Sequence, residues 1–539
     1  VILGGGDDPV NRASGGRCVR KSYVPVRRFP NLWAADMTTA EETPLAARPE
    51  AALLQRMQAA AALLEELVAD RGLLAAAPPD VRRRLLDAAA RVFNPDVAAR
   101  RRLVKATARR RKADRVAREE RVFAATGIRT LRRRPVFTTP DVFPPAGFDP
   151  AAAEPLEPKH CYVCKRHYTE LHAFYDQLCP SCAALNFAKR TELADLRGRV
   201  ALLTGGRVKI GYQAGLKLLR CGARLLVTTR FPRDAAARYA REPDFAGWGD
   251  RLEIFGLDLR HTPSVDGFCR VLLERGGRLD FIVNNACQTV RRPPEFYEHM
   301  LAAEAASLAA LPEPARRLLG AYEGLRGDRL VLADALSGLT HAPELSQLAL
   351  LADEQAARRH LFPAGRLDQD LQQVDLRGRN SWRLLLAEVP AVELLEVHLV
   401  NAIAPFVLNA RLKPLLLATP ERDKHIVNVS AVEGQFYRRC KTTRHPHTNM
   451  AKAALNMMTR TAATDYVGDG IHMNSVDTGW VTDEDPVEIA ARKTAEHRFH
   501  PPLDVVDGAA RIVDPIVSGF NTGVHVWGQF LKDFAPTDW

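Results

Sequence analysis

Two groups of residues have the types and spacing to do chemistry. Cys161-Tyr-Val-Cys164 and Cys179-Pro-Ser-Cys182 are C-x-x-C pairs separated by fourteen residues. Each pair can turn two sulfurs toward one ion, and two pairs supply the four thiolates that tetrahedral zinc prefers. Four sulfurs close the coordination shell. The spacing therefore predicts a structural zinc that holds together a module too small to fold unaided. His167 and His172 lie between the pairs and could replace a cysteine. A pair of redox-active dithiols is the competing reading. Zinc modules also bind nucleic acid or protein, and the loop KRHYTELHAFYDQL does not choose between these roles.

The second group is Val200–Gly211, VALLTGGRVKIG. An apolar run ending in threonine enters a glycine-bearing turn, then a helical pattern over Tyr212–Cys221. A strand delivers such a turn, glycine lets backbone approach a pyrophosphate, and the next helix points its N-terminus at the negative charge. The run gains weight from the alternation of elements that follows it.

From Leu196 onward, strand-like and helix-like segments alternate. The strand candidates are Val200–Thr204, Ala223–Thr229, Leu252–Leu259, Leu279–Ala286, His425–Ala431, Ile471–Asp477 and Val524–Leu531. This pattern predicts an α/β fold, a doubly wound parallel Rossmann sheet covered on both faces. After Ala286 the rhythm breaks until a helix over Leu394–Leu417. The intervening helical pattern, about residues 291–392, reads as an inserted subdomain that either shapes a substrate pocket or serves assembly. Residues 37–158 read as a helical basic region, with apolar Leu53, Leu54, Met57 and Ala61 at helical spacing and a proline-rich linker from Pro135 to Pro158. The cysteine module occupies 159–186 and the Rossmann domain 195–539. Residues 1–36 lack the apolar core of a signal peptide and read as a disordered leader.

The chain has 539 residues, too many for one ordinary core. No uninterrupted apolar run reaches the length of a membrane helix, so no span is expected. Five of the nine cysteines are scattered, which suits a reducing compartment and a cytoplasmic location. The net charge of +12 is concentrated: Arg100–Arg134 holds fifteen Lys or Arg against Asp114, Glu119 and Glu120. Such an arm can meet nucleic acid or an acidic partner. It almost lacks aromatic residues for base stacking, which favours a solvated helix face.

With these residues in view, Leu196–Trp539 resembles the short-chain dehydrogenase/reductase family outside the insertion. Thr204–Gly211, TGGRVKIG, resembles its glycine motif T-G-x-x-x-G-x-G, and Asp258-Leu259 stands where an aspartate touches adenine. NNAC, with Asn285 and Ala286, resembles N-N-A-G. Asn401 in VNAIAPF resembles the active-site asparagine, VNVSA resembles N-x-S-S, Lys452 in AKAAL stands at the catalytic lysine, and Gly479 lies in the segment that contacts nicotinamide. The resemblance implies an NAD(P)-dependent oxidoreductase acting on a small-molecule substrate, and it leaves homo-oligomerisation open. In that family a tyrosine donates a proton, a serine holds the carbonyl oxygen, the lysine binds the ribose, and the asparagine organises a relay water. The implied cofactor contacts are Thr204, Gly205, Arg207, Lys209, Ile210, Gly211, Arg230, Asp258, Leu259, Asn285, Ala286, Lys452 and Gly479. Arg230 follows the second strand, and Thr229 replaces the acid that would repel a 2′-phosphate, so NADP is expected over NAD.

Three positions depart from the pattern. The tyrosine position is Thr448, whose hydroxyl is too weak an acid to replace a phenol. The serine position is Ala431, with Ser430 adjacent. Lys209 replaces the middle glycine of the turn. A second Y-x-x-x-K, Tyr437 to Lys441, could bring Tyr437 into the vacant role, its phenolate favoured by Arg438, Arg439, Lys441 and Lys452. His445 and His447 are further proton carriers. The expected catalytic set is thus Lys452, Asn401, Tyr437, Ser430 and Thr448. Two functions compete: an oxidoreductase with an altered proton donor, and a catalytically silent nucleotide-binding scaffold whose zinc module and basic arm bind a partner. A nucleic-acid binder built on the arm and the zinc module is the weakest alternative.

Overall fold

A computed structural model describes residues 48–132, 157–327, 337–351, 354, 359–368, 372–438 and 441–539. The leader, most of the proline-rich linker, Arg439 and Cys440 lie outside the described residues. The chain divides into two compact units, 1–107 and 108–539.

The first unit is helical, as the apolar spacing predicts. It holds α1 (Arg48–Ala69), α2 (Pro79–Phe93) and the start of α3 (Val97–Ala124). Pro79 opens α2 at its first helical position, where a missing N–H costs nothing. Leu53, Leu54 and Met57 are all exposed.

In the second unit, α3 ends inside a small core. After α4 (Gly127–Arg132) come the two-residue strands β1 (Lys159–His160) and β2 (His167–Tyr168), then α5 (Pro180–Thr191). The first cysteine pair thus lies by a β-hairpin, and the second lies at the start of α5, whose N-cap is Cys179. The end of the basic arm packs here rather than staying in solvent: Phe123 and Ile128 are buried, and Arg129 pairs with Asp176 at 2.5 Å.

The remaining elements build the sheet. They are β3 (Val200–Thr204), α6 (Lys209–Arg220), β4 (Arg224–Thr229), α7 (Pro232–Tyr239), β5 (Leu252–Gly256), α8 (Thr262–Arg275) and β6 (Phe281–Asn284). The insertion follows with α9 (Pro294–Ala305) and four short helices, α10–α13 (Glu313–Leu318, Gly320–Gly327, Ser337–Thr340, Ala342–Leu345). The chain resumes with α14 (Ala391–His398), a π-helical stretch (Leu399–Ile403), α15 (Ala404–Arg411), α16 (Lys413–Leu416), β7 (Lys424–Ser430) and α17 (Pro446–Gly468). It closes with β8 (Ile471–Asp477), α18 (Val487–His497), α19 (Val505–Thr522), β9 (Phe530–Lys532) and β10 (Ala535–Thr537).

The sheet order is β10-β9-β8-β7-β6-β3-β4-β5, parallel throughout except for the β10–β9 pair. The order reverses between β3 and β6, which places a crevice at the carboxyl ends of the strands there. The expected runs are real strands with shorter bounds. The largest correction is Val524–Leu531: only its last two residues are strand, because the chain turns through Gly528 at φ +64° before pairing.

The helical run Ala391–Arg411 is long and apolar enough to cross a membrane, with a mean hydropathy of 1.6. It buries Glu393, Glu396 and Asn401 and packs on α8 and α17, as a core helix of the sheet does.

One buried carboxyl helps to anchor the insertion. Glu304, buried on α9, accepts the Asp234 and Arg233 backbone N–H groups at 2.9 and 3.2 Å. Burial pushes this carboxyl up to about 7 from its ordinary 4.5. A folded value above the unfolded one means the native state binds the extra proton. Its stabilisation is fully present below about pH 4.5 and is lost as pH rises through about 7. Glu304→Gln should therefore show a flatter fall in thermal stability between pH 5 and 8 (roughly that window) than the natural chain. Identical melting profiles would remove this role.

Candidate functional site

The phosphate-type turn is locked by two neighbouring residues. Asn285 Nδ2 donates to the carbonyls of Thr204 (3.0 Å) and Gly205 (3.2 Å), and Ala286 N–H donates to Thr204 Oγ1 at 3.0 Å. A Cβ on Gly211 would sit 2.2 Å from the Gly205 carbonyl oxygen, so only glycine lets α6 approach the turn. Lys209 takes the left-handed conformation, φ +54°, that the replaced glycine would adopt freely. The substitution therefore keeps the backbone path and stores strain in it.

Beside this turn lies a cleft of about 520 Å³. Gly205, Lys209, Ile210, Gly211, Arg230, Asp258, Leu259, Asn285 and Ala286 line its walls, so these expected cofactor residues come together, whereas the expected contacts Thr204, Lys452 and Gly479 do not line it. The insertion contributes Gln372, Val374, Asp375 and Arg377, and so shapes the pocket.

Several of these side chains have partners within the protein. Arg207 lines the cleft but is buried, its guanidinium held by Asp234 and Gln372, both at 2.7 Å. The Asp258 carboxyl, buried, accepts from Arg260 Nη2 at 2.6 Å. Burial pushes that carboxyl up, but the Arg260 guanidinium outweighs burial and holds it below the usual carboxylate range. Arg230 donates to the Tyr297 hydroxyl at 2.7 Å and lies over that ring at 4.6 Å. It makes no carboxylate ion pair among the described residues.

The catalytic positions are divided. Asn401 lies in the π-helical stretch, a distortion frequent at functional sites, and is clamped by the Gln288 backbone: its Oδ1 accepts at 2.8 Å and its Nδ2 donates at 3.1 Å. Lys452 Nζ donates to the Val429 carbonyl at 2.8 Å. The hydroxyls of Ser430, at the end of β7, and Thr448, in the first turn of α17, are buried without a hydrogen-bond partner among the described residues. Tyr437 is not brought to this site. It is 91% exposed, and its neighbours Arg438 and Lys441 are held by Glu433. Phe436 beside it is 76% exposed as well. His445 caps α17 and stacks on Trp382 of the insertion at 3.8 Å, while His447 Nε2 lies 3.3 Å from Glu393.

The four cysteines converge as predicted. One sulfur from each lies within 4.8 Å of all the others, and Cys164 and Cys179 are 3.7 Å apart. Tetrahedral zinc at about 2.3 Å sets sulfurs about 3.8 Å apart, so the set could bind zinc. His172 instead accepts the Phe174 N–H, and His167 lies against the His160 ring at a tilt of 46°. The module shares its apolar core with Val481 and Leu503 of the Rossmann domain. Tyr162, between the first two cysteines, accepts the Trp480 N–H at 2.9 Å, directly after Gly479. Sequence reasoning missed this contact, because a tyrosine three hundred residues from its partner leaves no local signal. It also missed Arg260, Arg377 and Thr482–Asp485, which line the cleft from loops without motifs.

A doubly wound sheet with its cleft at the switch point defines a dinucleotide-fold protein. Comparison with known proteins narrows the class. A family profile described as short chain dehydrogenase matches residues 199–305, and one described as Enoyl-(Acyl carrier protein) reductase matches residues 380–502. The chain belongs to the short-chain dehydrogenase/reductase family. The unmatched residues between the two profiles fall in the insertion.

An uncharacterized protein, R665, of Acanthamoeba polyphaga mimivirus is 29% identical over 69% of this chain and 74% of its own length. Dehydrogenase/reductase SDR family member 13 of Bos taurus is 37% identical over 19% of this chain, and the match spans 28% of that relative. Retinol dehydrogenase 14 of Homo sapiens is 33% identical, the match spanning 31% of its length. Among solved structures, a short chain dehydrogenase from Burkholderia cenocepacia in complex with NADP has a TM-score of 0.39 at 17% identity, over 63% of this chain and 97% of its own.

The Tyr162 contact makes a local prediction. One net hydrogen bond is worth about 1 kcal/mol, roughly a fivefold change in an opening equilibrium. Tyr162→Phe should speed hydrogen exchange at the Trp480 amide about fivefold, and Cys161→Ser, which disturbs the turn that carries Tyr162, should loosen the 479–485 segment as well. Unchanged exchange in both cases would show that the module does not support this loop.

Proposed function

We propose that the chain is an NAD(P)-dependent oxidoreductase that prefers NADP and moves hydride between the cofactor and a carbonyl or alcohol substrate. The observation that carries this reading is the strained turn. Lys209 holds φ +54° between Gly205 and Gly211, at the start of α6. A left-handed lysine costs about 1–2 kcal/mol, and such strain collects where backbone N–H groups must face a ligand. The residues fit a dinucleotide: the turn and the α6 N-terminus would hold the diphosphate, Arg230 a ribose 2′-phosphate, and Lys452 the nicotinamide ribose. The bound nucleotide supplies hydride. Ser430 would orient the substrate oxygen. Thr448 would pass on a proton rather than originate it, with water near Asn401 as the source. The seven described cysteines are unpaired, which supports a reducing, cytoplasmic setting and a zinc-loaded module.

A specific observation favours the silent scaffold. Ser430, Thr448 and Lys452 are only 3–4% exposed, and the Trp382–His445 stack covers the start of α17. Nucleotide binding with no turnover would decide for it. The decisive experiment is a titration with NADPH and NADH, followed by reduction of benzaldehyde as a simple carbonyl probe. NADPH should bind at least about tenfold more tightly than NADH, and Arg230→Glu should abolish that difference, since one lost charge-assisted contact is worth about 1.5–3 kcal/mol. Failure of both nucleotides to bind would sink the reading.

Exposed Leu395, Phe406, Met450 and Met457 on α14, α15 and α17 support self-association of this chain through that helical face. Phe406→Glu should shift the mass measured by light scattering toward the monomer. A natural chain that is already monomeric rejects the assembly.

A further inference from the structure

A second cluster of ligand-type side chains lies at the opposite end of the sheet from the cleft. His425 is the second residue of β7 and His472 the second of β8, and the parallel register pairs them directly. Ser430 ends the same β7 strand five residues later, so the two regions lie about 16 Å apart. His525 reaches the pair from the segment between α19 and β9. The three rings form a near-equilateral triangle, with centroids 5.2, 5.1 and 5.1 Å apart. One nitrogen from each lies within 4.8 Å of the other two.

The hydrogen-bond pattern fixes which nitrogens face inward. His472 Nδ1 lies 3.1 Å from the Lys424 carbonyl oxygen, an acceptor, so Nδ1 carries the proton and Nε2 keeps its lone pair. A carbonyl partner of this kind is the usual outer support of a metal-bound imidazole. His425 Nε2 and His525 Nδ1 are 2.9 Å apart, which requires at least one of them to be an unprotonated acceptor. The buried His425 has no hydrogen-bond partner at Nδ1 among the described residues. Gly519 of α19 completes the cradle. A Cβ there would lie 2.6 Å from His525 Nδ1 and 3.3 Å from His425 Nε2, so glycine alone leaves room beside these two nitrogens.

We infer that His425, His472 and His525 form a three-imidazole site for a zinc-class divalent cation, with water as the fourth ligand. Tetrahedral geometry at about 2.0–2.1 Å sets ligand nitrogens about 3.3 Å apart, close to the pair already at 2.9 Å and within side-chain adjustment for His472. Neutral nitrogen donors suit zinc, cobalt, nickel and copper rather than magnesium or calcium. The ion would fasten the segment leading into β9 to the amino ends of β7 and β8. Its chemistry differs from that of the four thiolates, and the two sites can be told apart.

The test uses the reduced full-length chain loaded with one equivalent of zinc, which the four thiolates retain, and then titrated with cobalt(II). Saturable uptake of one further equivalent is expected, with visible d–d bands of a four-coordinate ion and without sulfur-to-cobalt charge transfer. His472→Gln and His525→Gln should each abolish that uptake while retaining the zinc. The titration of the natural chain stands independently of how either variant folds. Absence of the second equivalent, thiolate bands accompanying it, or its survival in either variant overturns the inference.

Discussion

The site depends on a chain of buried amides and hydroxyls that crosses the middle of the sheet. Asn284 on β6 donates to Asn428 on β7 at 2.8 Å and to Asn409 on α15 at 2.9 Å. Asn428 in turn donates to Thr459 on α17 at 2.9 Å, and Ser475 on β8 donates to the same hydroxyl at 2.8 Å. Three strands and two helices meet in one polar string inside an apolar core. A slip of one residue in any strand would strand these groups without partners, at about 1–3 kcal/mol each. The string therefore fixes register. Asn401 lies eight residues before Asn409 and Lys452 seven before Thr459, so both hang from helices whose axial position this network sets.

What was legible in the sequence follows from how local each signal is. Thr204–Gly211, Asn285 and the two C-x-x-C pairs are short segments whose own geometry carries the chemistry, and each stands where its spacing implies. The α/β class was legible because buried parallel strands read as continuous apolar runs. Val524–Leu531 misled because an apolar composition does not reveal a turn at Gly528. Nothing near Arg207 in sequence announces the partners that hold it, Asp234, twenty-seven residues on, and Gln372, a hundred and sixty-five on. Tyr437 was placed by its spacing to a lysine, but spacing alone does not bury a side chain, and Tyr437 is exposed together with its neighbours Phe436 and Arg438.

The cysteine module gains its meaning from where it docks. A unit of this size buries too little apolar surface to hold a unique shape by itself. It solves the problem by sharing Val481, Leu503 and Ile210 with the larger domain. Arg190 of α5 reinforces the seam, reaching Asp504 at 2.7 Å and Asp507 at 2.9 Å, while Tyr175 donates to Asp507 at 2.5 Å. Buried charges are expensive when unpaired, so this seam has few alternative arrangements. The segment after Gly479 is consequently held from both sides, by β8 and by the module. Order at the thiolates and order at the cleft are physically linked.

The buried hydroxyls of Ser430 and Thr448 bear on what the altered centre does. A hydroxyl removed from water without a partner costs about 1–3 kcal/mol, and alanine or valine at those positions would avoid it. Lys452 adds an ammonium with one carbonyl partner in the same region. A protein that only sensed nucleotide would be more stable with apolar groups at all three places. Thr448 stands where the resemblance implies a phenol, while Asn401 and Lys452 stand at the positions where it implies groups that place a reacting oxygen and a nucleotide.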